Sequence, residues 1–370
     1  MAAHAIADVD VGCFLSAGVD SSLVAREAAR IMEARAFTIG WGEGRFSELE
    51  AAATFARATG LPNEGRILGA EQFFASVPAV QYAMEEPLPN PSAVPLYHLC
   101  AMAAESVKVV LSGEGADELF GGYPYYQECL AFAPYMTVPA PARRALAAAA
   151  RRLPEGTHGR RFLMRGAHPL PERYIRLEYN FPWAEALDLL APELGARCAA
   201  APTPWELAAP LFAEIEADEI TAMQTADILT WMQQDILLKA DKMSMASSLE
   251  LRVPFLDREV FALASTLPVS QRVGRRETKI ALRAAAARTL PQATAAMPKQ
   301  GFVTPLAQWL RKDPWREQVH EVLNSERARR FFRTDRLNAL LDEHQRGPRS
   351  HMKKIWSAYC FLIWHEQYFG

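Results

Sequence analysis

A serine-rich turn near the amino terminus is the first part of the sequence that could do chemistry. The segment FLSAGVDSS, residues 14–22, follows a short apolar run and leads into a helical pattern. Backbone N–H groups at a helix start carry partial positive charge and bind anions, and Ser16, Ser21 and Ser22 add hydroxyl donors. The carboxylate of Asp20 fits a phosphate site if a magnesium ion lies between it and the phosphates. The structural alternative is a helix that Asp20 or Ser21 simply caps.

A second loop, LSGEGADELFGGY at residues 111–123, concentrates acidic side chains after another apolar run. Its glycines let the backbone approach a ligand closely. Glu114, Asp117 and Glu118 are so close in sequence that they call for a cation, or for one acid held protonated. The loop therefore predicts either a cation site or a surface turn in which Asp117 caps a short helix.

The elements around the two loops predict an α/β fold. Up to residue 125 the sequence alternates strand-like and helix-like segments. Strands are predicted at 9–15, 36–41, 66–68 and 107–111. Helices are predicted at 21–34, 47–59, 71–84 and 92–105. This alternation is typical of a parallel sheet with helices on both faces, in which ligands bind beyond the carboxyl ends of the strands.

From residue 126 onward helical patterns dominate. We therefore expect an α/β core at residues 1–125 and a helical half at 126–370 that packs on the core as one compact unit. In the helical half, Lys239, Asp241 and Lys242 lie near one face of a predicted helix. One interpretation is an ordinary charged helix surface. The other is that Asp241 or a bound anion lies between the two lysines, which would otherwise repel each other.

Composition limits the class of protein. The chain has 370 residues, of which 50% are hydrophobic and 22% are charged, so it can bury a core and is not disordered. Its net charge of -3 lacks the basic signature of a nucleic-acid-binding protein. The five cysteines form no CxxC pair, which is typical of reduced thiols in a cytoplasmic protein. The longest apolar run, 355–364, is too short for a membrane span, and no secretory signal is visible.

Together the two loops resemble those of the asparagine synthetase family of ATP pyrophosphatases. FLSAGVDSS is similar to the SGGxDSS signature, and LSGEGADELFGGY to the loop that follows it in the family. Neither fits the GxxxxGK[ST] pattern of kinase-type phosphate loops. Further segments that resemble the family, in order along the chain, are FTIGW, EEPLPNPSAVPLY, LLKADKMSMASSLELRVPFLD and MPKQGFVTPLAQWL. The resemblance implies the fold of the adenine nucleotide alpha hydrolases, with the nucleotide bound by residues 1–125.

The resemblance also implies a reaction and its residues. Family members activate aspartate with ATP as β-aspartyl-AMP, release pyrophosphate, and let ammonia form asparagine. The pyrophosphate would be held by Ser16, Gly18, Ser21 and Ser22. The Mg²⁺ ion would be bound by Asp20 and Asp117. The AMP portion would contact Leu15, Ile39, Ser112 and Gly113. The catalytic residues would be Glu114, which acts on the acyl-adenylate, and Lys299, which neutralises the phosphates.

Two departures from the family pattern leave alternatives open. Ala17 stands where the signature has glycine, which is costly if that backbone needs a positive φ. The family's full-length enzymes also begin with a glutaminase domain, for which this sequence leaves no room. The chain would therefore be a fragment, use free ammonia, or receive ammonia from a separate glutaminase. Two other hypotheses of function remain. One is a related ligase that forms lactams, macrolactams or other amides, and the other is a non-catalytic nucleotide-binding scaffold. A homodimer is left open.

Overall fold

A parallel five-stranded sheet lies at the centre of the fold. The computed structural model describes residues 1–16, 18–42, 47–154, 156–178, 180–297 and 303–370, and of 176–178 the backbone only. The strands are β1 Val11–Phe14, β2 Arg35–Trp41, β3 Asn63–Leu68, β4 Val109–Leu111 and β5 Glu250–Arg252. They are arranged in the order β3-β2-β1-β4-β5, and every neighbouring pair is parallel. The predicted α/β class with a parallel sheet is confirmed.

The first four strands lie where the apolar runs predicted them. β1 and β4 are buried along their whole length, as expected for central strands covered by helices on both faces. β5 was not predicted. It contributes only Glu-Leu-Arg, which is half exposed, and it adds to the sheet from far along the chain, beside β4.

Four helices of the first 125 residues lie on the predicted segments: α1 Val19–Ala29, α2 Leu49–Thr59, α3 Ala70–Met84 and α4 Ala93–Ala104. The first of these ends at residue 29, earlier than the predicted 34. A fifth helix, α5 Ala116–Phe120, was not among the predicted helices, and its N-cap is Gly115, so Asp117 does not cap it. Gly60 ends α2 with a left-handed backbone (φ 69°), a conformation that glycine adopts without a steric cost.

The rest of the described chain is mostly helical. Its α-helices are α6 Gln127–Phe132, α7 Ala140–Arg151, α8 Arg160–Arg165, α9 Leu170–Glu178, α10 Trp183–Leu189, α11 Pro192–Ala199, α12 Pro204–Ala213, α13 Glu219–Leu229, α14 Leu238–Met245, α15 Arg258–Ser265, α16 Val269–Arg272, α17 Ile280–Ala286, α18 Gln292–Ala295, α19 Leu306–Trp309, α20 Trp315–Leu323, α21 Glu326–Phe331, α22 Thr334–Arg346 and α23 Met352–Phe369. A π-helix at Met232–Leu237 leads directly into α14. No helix among the described residues combines the length and apolarity that a membrane span requires.

Two apolar clusters support the sheet. One packs β2 against α3, α4 and α23 and includes Phe37, Phe73 and Trp356. The other packs β1 and β4 against α1 and α2 and includes Cys13 and Phe55. Both clusters hold the carboxyl ends of β1 and β4 in fixed positions, so the loops that follow these strands are placed by rigid elements.

The strand order reverses between β1 and β4. Along the chain the sheet grows from β1 to β2 and β3, and it then returns to the other side of β1 with β4. Such a reversal opens a crevice at the carboxyl edge, where open α/β sheets bind ligands. The serine turn follows β1 and the acidic loop follows β4, so the crevice brings the two sequence motifs together. The division of the chain at residue 125 remains a prediction, and β5 shows that the sheet itself extends beyond it.

Candidate functional site

The serine turn is organised by hydrogen bonds among its own side chains. Ser16 Oγ and Ser21 Oγ lie 2.8 Å apart, and Gly18 N donates to Ser16 Oγ at 3.1 Å. Gly18 is the N-cap of α1 and no side chain caps the helix, so neither Asp20 nor Ser21 has the purely structural role that was the alternative. The first turn of α1 therefore presents N–H groups and serine hydroxyls at one place, which suits an anion.

The acidic loop lies directly against this turn. A Cβ placed on Gly113 would come within 2.8 Å of Ser21 N, so only glycine allows the two loops to approach this closely. Gly115 has a φ of 85°, the left-handed region that favours glycine, and it turns the chain into α5. The glycines of the acidic loop were predicted to let its backbone approach a ligand closely. At Gly113 the backbone instead approaches the serine turn.

A lysine that sequence reasoning missed joins the two acids. Lys279 Nζ lies 2.6 Å from Asp20 Oδ2 and 2.7 Å from Asp117 Oδ1. The Lys279 side chain is 1% exposed, while those of Asp20 and Asp117 are 16% and 14% exposed. Because one ammonium contacts both carboxylates, Asp20 and Asp117 are close enough to share a cation.

The backbone around Lys279 is shaped to place this ammonium. Lys279 precedes α17 with a φ of 54°, an unusual conformation for a residue with a side chain, which costs on the order of 1 kcal/mol. A Cβ on Gly122 would lie 1.9 Å from Asp117 Oδ1 and 2.1 Å from Lys279 Cε. Glycine at 122 therefore leaves the space in which the ion pair forms.

The two carboxylates also fit a divalent cation that a phosphate ligand brings with it. Asp20 Oδ1 is buried and makes no hydrogen bond among the described residues. Within the described ranges no group of three or more His, Cys, Asp or Glu side chains could hold a metal ion. Mg²⁺ at Asp20 and Asp117 would thus take its other ligands from phosphate oxygens and water, as it commonly does.

The loops open into a cavity of about 590 Å³, a size typical of small-molecule sites. The predicted site residues in its wall are Leu15, Ser16, Gly18, Asp20, Ser21, Ile39, Ser112, Gly113, Glu114 and Asp117. Ser22 is fully buried behind this wall. Lys299 and Ala17 lie outside the described residues. Ten of the twelve predicted site residues thus line one cavity, while their predicted roles remain predictions.

Glu114 lines the cavity with one carboxylate oxygen that makes no hydrogen bond within the described part of the chain. This oxygen, Oε2, is buried. Burial raises the pKa of Glu114, and the charge of Lys239 and the Ser112 hydroxyl oppose that rise. Burial likewise raises the pKa of Glu118 to about 7, although the Tyr123 hydroxyl donates to its carboxylate at 2.7 Å. The loop thus combines an ion-paired acid with two acids whose protonated forms are favoured.

The cavity also contains residues that sequence reasoning did not assign to it. Lys279 follows the segment RRET, which reads as exposed charge, and only its position before a short helix could have drawn notice. Lys239 was left open between a charged surface and an anion site. It is 6% exposed and lines the cavity, whereas Asp241 is exposed and Lys242 pairs with Glu85 at 2.6 Å outside it.

The chain is similar to known proteins along nearly its whole length. A family model described as asparagine synthase matches residues 1–366. "Putative asparagine synthetase (glutamine-hydrolyzing)" of Mycobacterium tuberculosis H37Rv is 40% identical over 99% of this chain and 56% of the relative. "Asparagine synthetase (glutamine-hydrolyzing) 1" of Bacillus subtilis 168 is 37% identical over 98% of this chain and 57% of the relative. The chain thus spans little more than half the length of these relatives.

Proposed function

Because this chain belongs to the asparagine synthase family, we propose that it is an ATP-dependent amide ligase that activates aspartate as β-aspartyl-AMP and aminates it with ammonia. The observation that carries the proposal is the meeting of Asp20, Asp117 and Lys279 at the carboxyl edge of β1 and β4. The asparagine synthase match supports an enzyme of this class. The identity of the acyl group and of the intermediate is our inference.

The residues of the first loop and Lys279 act on the phosphates. The aspartate carboxylate attacks the α-phosphorus, the new acyl–oxygen–phosphorus bond forms, and the bond to pyrophosphate breaks. Pyrophosphate then carries the negative charge, which the N–H groups of α1, the serine hydroxyls and Lys279 stabilise. Lys299, the predicted phosphate contact, remains part of the proposal.

Asp20 and Asp117 would hold Mg²⁺ when the nucleotide is bound. The ion supplies neutralisation of charge on the leaving pyrophosphate. The two carboxylates would then contact both Lys279 and the metal ion. This is sterically reasonable because they already lie close enough together to contact one ammonium. The adenine and ribose would occupy the part of the cavity beside Leu15 and Ile39.

Glu114 is placed for the second half of the reaction. Ammonia attacks the acyl carbon, AMP leaves, and the nitrogen must lose a proton. Glu114 lines the cavity, and its Oε2, which makes no hydrogen bond among the described residues, can accept that proton when the carboxylate is ionised. We propose that nitrogen reaches this point as ammonia, free or from a glutaminase domain or subunit. A cytoplasmic location and a homodimer are compatible with this function.

Two other functions compete with this proposal. A ligase acting on another carboxylate, such as a lactam-forming relative, would use the same phosphate side of the cavity. A non-catalytic scaffold would need no acid in the cavity wall with an unused carboxylate oxygen, such as Oε2 of Glu114, which argues against it.

Pyrophosphate release with a panel of carboxylic acids separates these functions. We expect release with ATP, Mg²⁺ and aspartate, and asparagine as product when ammonium is added. Release with another acid and not with aspartate would favour the related ligase. ATP binding without release on any acid would favour the scaffold. Glutamate formation from glutamine by this chain alone would contradict the proposal that its ammonia is supplied from elsewhere.

A further inference from the structure

Lys239 carries a buried positive charge that the protein leaves almost without partners. The residue is 6% exposed, and among the described residues its Nζ makes a single hydrogen bond, to Ser92 Oγ at 3.2 Å. The negative charges of Glu114 and Asp235 act on it from nearby, but no described carboxylate forms an ion pair with it. An ammonium has three donors, and burying a charge without a direct ion pair is costly. The ammonium can therefore still bind an anion that enters the cavity.

The surroundings of Lys239 fix its direction. Ser92 Oγ, which accepts from Lys239, itself donates to Asn90 Oδ1 at 2.7 Å. Asn90 Nδ2 donates to the buried Asp235 Oδ1 at 2.6 Å. Asp235 is four residues before Lys239, but its carboxylate is engaged by Asn90 and lies outside the cavity wall. The chain of hydrogen bonds holds the Lys239 ammonium at the wall, with its remaining donors free for a ligand.

The position of Lys239 separates it from the phosphate side of the cavity. The phosphate side has its own cation, Lys279, on Asp20 and Asp117. Lys239 instead lies near Glu114, whose pKa its charge lowers. An anion bound at Lys239 would consequently lie beside Glu114, the proposed base of the amination step. The acyl substrate must be at this place in the cavity.

We propose that Lys239 binds the carboxylate of the acyl substrate that does not react, so that the site selects a dicarboxylic substrate. This inference rests on the proposed function. The reacting carboxylate loses its negative charge as its oxygen bonds to phosphorus, and an ammonium on it would stabilise the ground state more than the transition state. A second carboxylate keeps its charge throughout, so Lys239 can hold it during both half-reactions.

The test compares aspartate with β-alanine, which keeps the reacting carboxylate and the ammonium but lacks the second carboxylate. The wild-type protein should prefer aspartate, by kcat/KM for pyrophosphate release. Lys239→Met should lower kcat/KM for aspartate about 100-fold, mainly through KM, and change that for β-alanine less than about 3-fold. Lys239→Arg should recover part of the aspartate activity. Lys242→Met, which removes a cation outside the cavity, should match the wild type.

A binding measurement makes the two proposals separable. Aspartate is titrated calorimetrically into protein saturated with AMP, which requires no turnover. Binding by the wild type and its loss in Lys239→Met, with AMP affinity unchanged, would support the anchor even if no pyrophosphate is released, in which case the proposed function fails alone. Equal losses with aspartate and β-alanine, a raised KM for ATP only, or unchanged aspartate binding would overturn the inference. Thermal denaturation checks that Lys239→Met is folded.

Discussion

Asp20 and Lys279 form an ion pair at 2.6 Å although 259 positions separate them in the chain. The pair connects the start of α1 to the start of α17. The serine turn and the helical half are therefore in contact through the buried ammonium of Lys279. Because Asp117 contacts the same ammonium, the two loops of the sheet and the segment before α17 form one unit. Changes at any member of this unit should affect both stability and nucleotide chemistry.

Replacing Lys279 by methionine should damage stability and activity together. Asp20 and Asp117 would then face each other without a cation, and loss of one partner of a buried pair costs about 3–5 kcal/mol. The free energy of unfolding, from chemical denaturation, should fall by that amount and recover partly with added Mg²⁺. kcat/KM for ATP should fall about 100-fold or more. The exposed Lys353→Met is the matched control, and equal effects at both positions would contradict the role of Lys279.

Gly122→Ala should disrupt the same ion pair by steric overlap alone. The added methyl would lie 1.9 Å from Asp117 Oδ1, so the carboxylate or the lysine must move. We expect a loss of about 1–3 kcal/mol in the free energy of unfolding together with weaker ATP binding. Gly42→Ala, whose methyl would meet, among the described residues, only Ile67 Cγ2 at 3.8 Å, should be near neutral. A stable, fully active Gly122→Ala would show that the space at 122 is not needed.

Glu114→Gln should reveal the base of the amination step. Burial raises the pKa of Glu114, so the ionised form that accepts a proton becomes populated only above the usual range for glutamate. The ratio of wild-type to variant rates of asparagine formation should therefore rise with pH and reach about 10²–10⁴. The protonation of ammonia affects both proteins alike and cancels in this ratio. A pH-independent ratio would exclude the proton-transfer role, and Glu105→Gln, at an exposed ion pair with Arg66, serves as control.

Glu118→Gln should change how stability depends on pH. Burial raises the pKa of Glu118 from 4.5 to about 7, so the folded protein binds this proton more tightly than the unfolded chain. The free energy of unfolding of the wild type should therefore fall as the pH rises from about 4.5 to about 7, by about 3 kcal/mol from this group. Glutamine keeps an acceptor for the Tyr123 hydroxyl and removes the titration. Chemical denaturation at pH 5 and pH 8 should show that the free energy of unfolding of the variant rises relative to that of the wild type only at pH 8.

The sequence was sufficient to predict the sheet where strands are apolar runs that end in turns. β1 and β4 are buried from end to end, so their composition alone distinguishes them. β5 escaped prediction because Glu250 and Arg252 flank one leucine, and its strand character comes from pairing with β4. Tertiary context, which local patterns do not contain, decides such short strands.

The site was predictable to the extent that it follows strand ends. Asp20, Glu114 and Asp117 lie in the turns and helix starts that follow β1 and β4, and parallel strands bring their carboxyl ends to one edge. Lys279 precedes α17 and Lys239 lies in α14, both in segments that read as charged surface, and only packing shows that they are buried. A lysine with an ordinary local pattern becomes a site residue through what surrounds it, so spacing alone could not identify either.

The origin of β5 has a consequence for how the chain is made. During synthesis β4 is complete long before residues 250–252 emerge, and Lys279 follows later still. At typical rates of translation the intervening stretch takes on the order of ten seconds. Throughout that interval one flank of the nascent sheet is an open edge, able to pair with foreign strands, and its acidic loop lacks its counter-charge. The amino-terminal third should thus depend on shielding by chaperones until the distant partner strand arrives.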